Sequence, residues 1–254
     1  MFFHLNNRAL LKISGNDAKS FLQSQLSNDI NKIDYSNIQL NAYCQHQGKI
    51  LALFWVMRQE EDFYLSFPKD LLDSIQSRLK MFVIMADVII EDVTSQLIQI
   101  GVLEEKYSPS FSINEKMSLF IIENTDLSNF DISTNDLWSQ SCLDCHLPDV
   151  FLTTTEKFVP QMLNLDINEI GVSFSKGCYP GQEVVARLHY LGSAKRRLFA
   201  FKADQEMQVG DSLYCATSKT ALARGDRYKG SGIVVSRVKY NSLFHCLATL
   251  DVDL

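Results

Sequence analysis

The segment from Lys176 to Arg187, KGCYPGQEVVAR, holds most of the residues whose types and spacing could do chemistry in this chain. Cys178 lies two residues after Lys176 and just before a predicted helix, whose start Pro180 favours. Peptide N–H groups at a helix N-terminus and a nearby ammonium favour a thiolate over a thiol. Cys178 is therefore the first candidate for catalysis, as a nucleophile or a transient ligand, with Lys176 as the group that stabilises its thiolate.

A structural role for Cys178 is the alternative interpretation. An unpaired cysteine is commonly a small buried apolar residue, and this one lies in a tight, glycine-rich turn. The neighbouring charges do not decide between the two roles, because Glu183 and Arg187 are four residues apart and can simply pair along one face of the predicted helix. On the residues of the motif alone, both interpretations stay open.

The same twelve residues resemble the signature of the YgfZ group of folate-binding proteins, relatives of the glycine-cleavage T-protein, an aminomethyltransferase. The resemblance continues upstream in KFVPQMLNL, which ends at Leu165, and downstream in GSAKRRL, which contains Lys195 and Arg196. Near the amino terminus it includes GNDAKSFLQSQLSNDI and the glycine at Gly48. It covers most of the chain, and residues 100–150 add little to it.

This resemblance implies a protein that binds tetrahydrofolate and assists the assembly or repair of iron–sulfur clusters, with a link to tRNA modification. The implied partners are folate and iron–sulfur enzymes or their assembly factors. Cys178 and Lys176 are the implied catalytic pair, and no resident metal is expected. Tyr179 would stack on the pterin or close the core. The residues that we expect to bind the cofactor are Tyr179, Gln182, Glu183, Arg187, Gln161 and Asn164.

Two other functions remain open. The first is a folate-dependent one-carbon transferase. In the T-proteins a catalytic aspartate follows the paired glycines of the first hairpin, and Ala52 or Leu53 stands at that place here, which disfavours the T-protein reaction. The second is a non-enzymatic module that binds a protein or RNA through its carboxy-terminal part.

Charge is distributed unevenly along the chain. The net charge is -6, yet residues 176–240 contain twelve Lys and Arg against five Asp and Glu. A basic surface beside the motif would suit an anionic ligand such as the glutamate tail of a folate, with Lys195, Arg196 and Arg197 as its most plausible contacts. Dedicated nucleic-acid binding is disfavoured, because few aromatic residues are interleaved with the basic ones.

Six cysteines without a secretory leader indicate a reducing, cytoplasmic location rather than a disulfide scaffold. Cys142, Cys145 and His146 spell CxxCH, the pattern of covalent haem attachment. Haem attachment would require export, and a structural zinc site would require further ligands, so we expect ordinary helix residues here. The other cysteines, predicted to be core residues, are Cys44, Cys215 and Cys246. No apolar stretch reaches the length of a membrane span.

The hydrophobic pattern indicates an α+β fold of antiparallel sheets and helices, related to the T-protein, with a small carboxy-terminal β-barrel. The predicted domains are 1–195, with possible subdomains of about 1–95 and 96–195, and the barrel at 196–254. Asn16 or Asp17 is expected to cap the first helix. The predicted strands are 9–13, 39–45, 49–57, 63–67, 88–90, 97–102 and 119–122, and the predicted helices are 16–30 and 69–82.

Overall fold

A computed structural model describes residues 1–104, 107–214 and 231–252, which form three antiparallel sheets and four α-helices. None of the helices in these ranges is both long and apolar enough to cross a lipid bilayer. The helices are α1 Ala18–Gln25, α2 Leu72–Met81, α3 Asn135–Asp144 and α4 Gln182–Leu191. The strands are β1 Phe2–His4, β2 Arg8–Ser14, β3 Gln39–Cys44, β4 Ile50–Gln59, β5 Asp62–Pro68, β6 Ile89–Asp92, β7 Leu97–Leu103, β8 Phe111–Ser112, β9 Met117–Glu123, β10 Arg196–Ala203, β11 Ser212–Leu213, β12 Gly232–Tyr240 and β13 Leu243–Asp251.

The first sheet has the strand order β3-β4-β5-β2-β6. Its strand β4 is buried over eight consecutive residues, because both faces of the sheet are covered. Phe54 and Val56 pack in the cluster that contains α1 and α2, whereas Leu53 packs in a second cluster with residues of the motif helix and the carboxy-terminal sheet. Coverage on both faces explains why β4 reads as a continuous apolar run instead of an alternating one.

The other two sheets complete the fold. One has the order β1-β7-β9-β8, and the other, a half-barrel, has the order β10-β13-β12-β11. Helix α3 packs against the second sheet through Trp138, whose indole lies over Gly101 so closely that a Cβ there would come within 2.6 Å of it. The same helix contacts β12 of the half-barrel. It therefore joins the second and third sheets.

The predicted α+β, T-protein-like fold is confirmed, and each predicted strand and helix has a counterpart. The first helix is shorter than predicted, ending at Gln25 rather than near residue 30. Asp17 is its N-cap residue, but its carboxylate accepts from the Asp87 N–H instead of capping the helix. The domain boundaries stay predictions. Strand β1, from the first predicted subdomain, pairs with β7 of the second.

The motif loop lies against the turn of the first hairpin. Helix α4 begins at Gln182, two residues after Pro180, so Pro180 is not its first residue, and Gly181 is the N-cap with φ of 84°. A Cβ on Gly181 would lie 2.5 Å from the Gln45 carbonyl oxygen and 2.7 Å from the Gly48 Cα. Only glycine can adopt this backbone conformation at so close an approach. Two segments of the YgfZ resemblance, more than a hundred residues apart, therefore meet at a glycine–glycine contact.

Replacing Gly181 with Ala is expected to lower the free energy of unfolding by at least ~2 kcal/mol, through the positive φ and the overlap with backbone. Gly177→Ala is the matched control, because a Cβ there meets nothing within 4 Å. That control should change stability by no more than about 0.5 kcal/mol. Urea unfolding of both variants measures the difference, and equal stabilities would contradict the close contact.

Candidate functional site

Lys176 is buried at the end of helix α1. Its Nζ donates to the carbonyl oxygens of Gln23 at 2.6 Å, Leu26 at 2.5 Å and Asn28 at 3.0 Å. The last carbonyls of a helix have no partner within it and carry its negative end, so a cation is favourable there. Burial lowers the pKa of Lys176 to about 8, although the nearby Asp29 acts in the opposite direction. All three ammonium hydrogens are therefore committed to holding the motif loop on α1.

Cys178 is exposed, so the interpretation of a small buried residue does not hold. With Gly177, it lines a cavity of about 420 Å³ whose other wall is mainly one face of α1 and the residues beside it. The ammonium of Lys19 makes no hydrogen bond or ion pair with the described residues, so it is the unpaired cation of this cavity. The thiol is thus accessible within a polar recess. The remaining lining residues are Asn16, Ser20, Gln23, Ser24 and Asn31.

Three of the predicted cofactor contacts point into the protein. Tyr179 is 6 % exposed, with its ring 5.3 Å from the Lys176 Nζ, and burial raises its pKa. Gln161 donates through Nε2 to the Val185 carbonyl of α4 at 2.8 Å. Asn164, in the left-handed conformation, bonds both the N–H and the carbonyl of Leu198 in β10. These side chains connect the motif to the core and to the half-barrel.

The charged residues of the motif helix face outward. Glu183 and Arg187 are exposed, Gln182 is half-buried, and the expected Glu183–Arg187 pair is not among the ion pairs of the described residues. Their predicted contacts with a cofactor stay predictions, as do those of the three residues that point inward.

Two of the three basic residues predicted to contact an anion are neutralised within the protein. The guanidinium of Arg197 pairs with both carboxylate oxygens of Asp166, and Arg196 donates to Asp251 at 2.9 Å. Lys195 is exposed. The positive charge of this segment is therefore largely balanced by aspartates distant in sequence.

A cavity of about 580 Å³ lies between the first sheet, the half-barrel and helix α3. Its walls contain Trp55 and Trp138, the only two tryptophans of the chain, with ring centroids 6.5 Å apart. The guanidinium of Arg8 lies 4.0 Å over the Trp55 ring. Arg237 of β12 lines the side that faces the half-barrel. Aromatic surfaces and a few polar groups together are typical of a site for a flat organic ligand.

Asp149 is the buried carboxylate of this cavity. Its Oδ2 accepts from Arg8 Nη1, whereas its Oδ1 is buried without a hydrogen-bond partner. Burial raises the pKa of Asp149, and the Arg8 guanidinium acts against that shift. The Oδ1 of Asn135, another lining residue, is also buried without a partner. Buried acceptors without partners are costly, so this wall is suited to a ligand that donates hydrogen bonds.

None of the eight predicted site residues lines this cavity. Arg8 and Asp149 are 141 residues apart, and neither lies in a recognisable motif. The one available signal was the rarity of tryptophan, since both tryptophans border the cavity. The sequence thus pointed to the cavity of Cys178 and gave no indication of the cavity of Asp149.

Of the CxxCH residues, which were predicted to be helix residues, only Cys142 lies in α3, since Cys145 is its C-cap residue and His146 follows the helix. Cys142, on α3, lines the carboxylate cavity, and burial raises its pKa to about 12. Cys145 is exposed at the helix end and accepts from Asn114 Nδ2 at 3.3 Å. Within the described ranges, no three His, Cys, Asp or Glu side chains are grouped to hold a metal ion. Cys44 and Cys246 are buried as predicted, and Cys215 lies outside the described residues.

Comparison with known proteins places the chain in a family. No protein-family model matches it. An uncharacterized protein of Haemophilus influenzae is 34% identical over 261 residues, which cover 100% of this chain and 90% of that protein. A Colwellia psychrerythraea protein named tRNA-modifying protein YgfZ is 28% identical over 80% of this chain and 71% of its own length. An Aliivibrio fischeri protein of the same name is 26% identical over 93% of this chain and 80% of its own length.

The chain belongs to the YgfZ family. Among solved structures, it is similar to the glycine cleavage system aminomethyltransferase T of Bartonella henselae, with a TM-score of 0.70 over 99% of this chain and 78% of the other. Their sequence identity is 14%, so this likeness shows the fold. The YgfZ resemblance carried by the motif is thereby confirmed.

Replacing Lys176 with Met should destabilise the protein by roughly 2 kcal/mol or more, because three buried carbonyls lose a charged donor. Lys19→Met is the matched control. It removes another ammonium near the same cavity, one without hydrogen bonds to the described residues, and should cost no more than about 0.5 kcal/mol. Thermal or urea unfolding provides the measurement. An equal effect of the two substitutions would mean that the carbonyl contacts of Lys176 contribute nothing.

The contribution of Lys176 to stability should also depend on pH. Its pKa is about 8 in the folded protein against an ordinary 10.5, so between these values the unfolded chain binds more protons. The free energy of unfolding of the wild type should therefore rise with pH across this window, relative to Lys176→Met. Urea unfolding of both proteins at pH 7.5 and pH 10 tests this. A difference that stays constant would contradict the lowered pKa.

Proposed function

We propose that this protein binds a reduced folate in the cavity of Asp149 and separately uses the Cys178 thiol to assist iron–sulfur enzymes, including those that modify tRNA. The observation that carries the folate assignment is the buried carboxylate of Asp149, with one oxygen bonded to Arg8 and the other without a partner. The names of the YgfZ relatives support the link to tRNA modification, and the T-protein fold supports folate binding.

The residues of the cavity fit a pterin. One edge of the pterin ring presents an amino group next to a ring N–H, and a carboxylate accepts such a pair of donors as it accepts a guanidinium. Asp149 would receive this edge, and Asn135 offers a second oxygen without a partner. The faces of Trp55 and Trp138 would pack against the flat ring. Arg237, in the cavity wall, pairs with the exposed Glu206 at 3.8 Å, and a carboxylate of the folate tail would take the place of Glu206 as its partner.

A bound tetrahydrofolate supplies ring and side-chain nitrogens that can carry a one-carbon unit. At the position that corresponds to the T-protein aspartate, this chain has no side chain that could help to transfer such a unit. Ala52 and Leu53 are fully buried in β4, and neither can orient an amine or hold a proton. This supports folate binding over the alternative of a T-protein-type one-carbon transferase.

Separation of the two sites supports the same conclusion. The cavity of Cys178 and the cavity of Asp149 have no lining residue in common. A transferase must hold its donor and folate within reacting distance. The thiol would instead act on a group that is brought from outside, on an iron–sulfur enzyme or assembly factor.

The cytoplasm is the proposed compartment, since the five described cysteines are free thiols.

Replacing Asp149 with Asn should weaken tetrahydrofolate binding by at least roughly tenfold, because the amide NH2 would oppose the donors of the pterin edge. Asp70→Asn is the matched control, since Asp70 lines the same cavity and its amide oxygen can still accept from Leu152 N–H. Calorimetric titration of the reduced proteins measures both. The variant Arg187→Ala tests whether the folate binds at the motif helix instead of the cavity of Asp149. If Arg187→Ala loses folate binding and Asp149→Asn binds normally, the folate site is at the motif and not in the cavity of Asp149.

Changing Cys178 to Ala should abolish the function in cells while leaving folding and folate binding intact. The assay measures the activity of iron–sulfur enzymes and the level of modified tRNA in cells that lack the native protein. Cys145→Ala is the control, because it removes another exposed thiol. Full rescue by Cys178→Ala would contradict a thiol mechanism and favour the alternative of a partner-binding or RNA-binding module.

A further inference from the structure

An exposed apolar surface covers the end of α2 and the loop that follows it. We name this surface the apolar patch and define it by five residues that belong to a nine-residue segment. Met85 is fully exposed, and Ile84 and Met81 are 75% and 72% exposed. Contiguous apolar groups of this kind on a soluble protein mark a contact surface. The residues of the apolar patch are Met81, Phe82, Ile84, Met85 and Ile89.

Hydrogen bonds fasten the apolar patch to the wall of the Cys178 cavity. Asn16, which lines that cavity, donates through Nδ2 to Asp87 Oδ2 at 2.6 Å. The Asp87 N–H in turn donates to Asp17 Oδ2 at 2.8 Å. The wall of the cavity runs from Asn16 along α1 to Gln23. Its length is about 10 Å, because a helix rises about 1.5 Å per residue. A short extended peptide of about four residues has the reach to run along this wall, from the end that holds the segment of the apolar patch toward Cys178.

We infer that the apolar patch receives an apolar segment of a protein partner and holds a cysteine of that partner beside Cys178. The inference rests on the proposed function, in which the thiol acts on a group from outside, and it names the partner that brings the group. The size of the patch fits a transient partner. A stable dimer buries about 20–30 residues on each side, many more than these five. Methionines adapt to differently shaped segments, as more than one partner would require.

The test uses two synthetic peptides that carry a cysteine activated as a 2-thiopyridyl disulfide. One has two leucines and a phenylalanine placed four residues from the cysteine, a spacing of about 13 Å when extended. The other has serines in place of the three apolar residues. The Cys178 thiolate attacks the peptide sulfur, a new S–S bond forms, and the old one breaks to release 2-thiopyridone, which keeps the bonding electrons and takes up a proton. Absorbance of 2-thiopyridone gives the rate. The mass of the tryptic fragment of residues 177–187 shows that Cys178 reacted.

The apolar peptide is expected to modify wild-type Cys178 about tenfold faster than the serine peptide, the effect of burying one to two large apolar side chains. The double variant Ile84→Asn and Met85→Asn should remove this preference and leave the rate with the serine peptide unchanged. Both side chains are exposed, so the variant should fold normally. Circular dichroism and tetrahydrofolate titration check its folding.

Four results would overturn the inference. Equal rates for the two peptides, or a preference that survives the double variant, would show that the apolar patch does not guide a partner to Cys178, while the proposed thiol function would stand. A dimer that the double variant dissociates would assign the apolar patch to a second copy of the chain. Failure of Cys178 to react even with a small 2-thiopyridyl disulfide would overturn the proposed thiol function together with the inference.

Discussion

The contacts of Lys176 are the constraint on which the thiol site depends. Three carbonyl oxygens at the end of α1 surround its ammonium, and this fixes the loop that carries Cys178 along one face of that helix. The close approach of Gly181 to Gly48 fixes the other end of the loop on the first hairpin. With both ends held, the loop leaves Gly177 and Cys178 exposed while the side chain of Tyr179 is buried. The exposure of Cys178 thus follows from the way its neighbours are anchored.

Because Lys176 is buried and bonds backbone carbonyls, part of the motif has a structural role. The motif's residues divide into those that build the loop, such as Lys176, Tyr179 and Gly181, and those that stay accessible, such as Cys178 and Arg187. The carboxylate cavity of Asp149 is built from other parts of the chain and borders the half-barrel. The chain has a T-protein-like fold, and under the proposed function this scaffold carries two separate sites, one for a folate and one for thiol chemistry.

Local patterns predicted the elements well and the second site poorly. Helical spacing identified α1 and α2, and glycine at a turn identified the first hairpin, because these signals lie within a few residues of each other. Arg8 of β2 and Asp149, in the segment that follows α3, meet only through tertiary packing, so no local pattern marks them. For the same reason, the sequence did not predict the ion pairs of the basic residues at the start of β10. Their partners Asp166 and Asp251 lie 31 and 55 residues away. Sequence periodicity reports burial, whereas charge pairing across a fold depends on tertiary structure.

The central claim is that the folate site is the tryptophan-lined cavity and not the pocket of the motif. Tryptophan fluorescence tests it most directly, since Trp55 and Trp138 are the only tryptophans in the chain and both line that cavity. Titration with 5-formyltetrahydrofolate, corrected for absorbance with free tryptophan, should give a saturable change in emission at one ligand per chain. Binding detected by calorimetry without any change in tryptophan emission would contradict the claim.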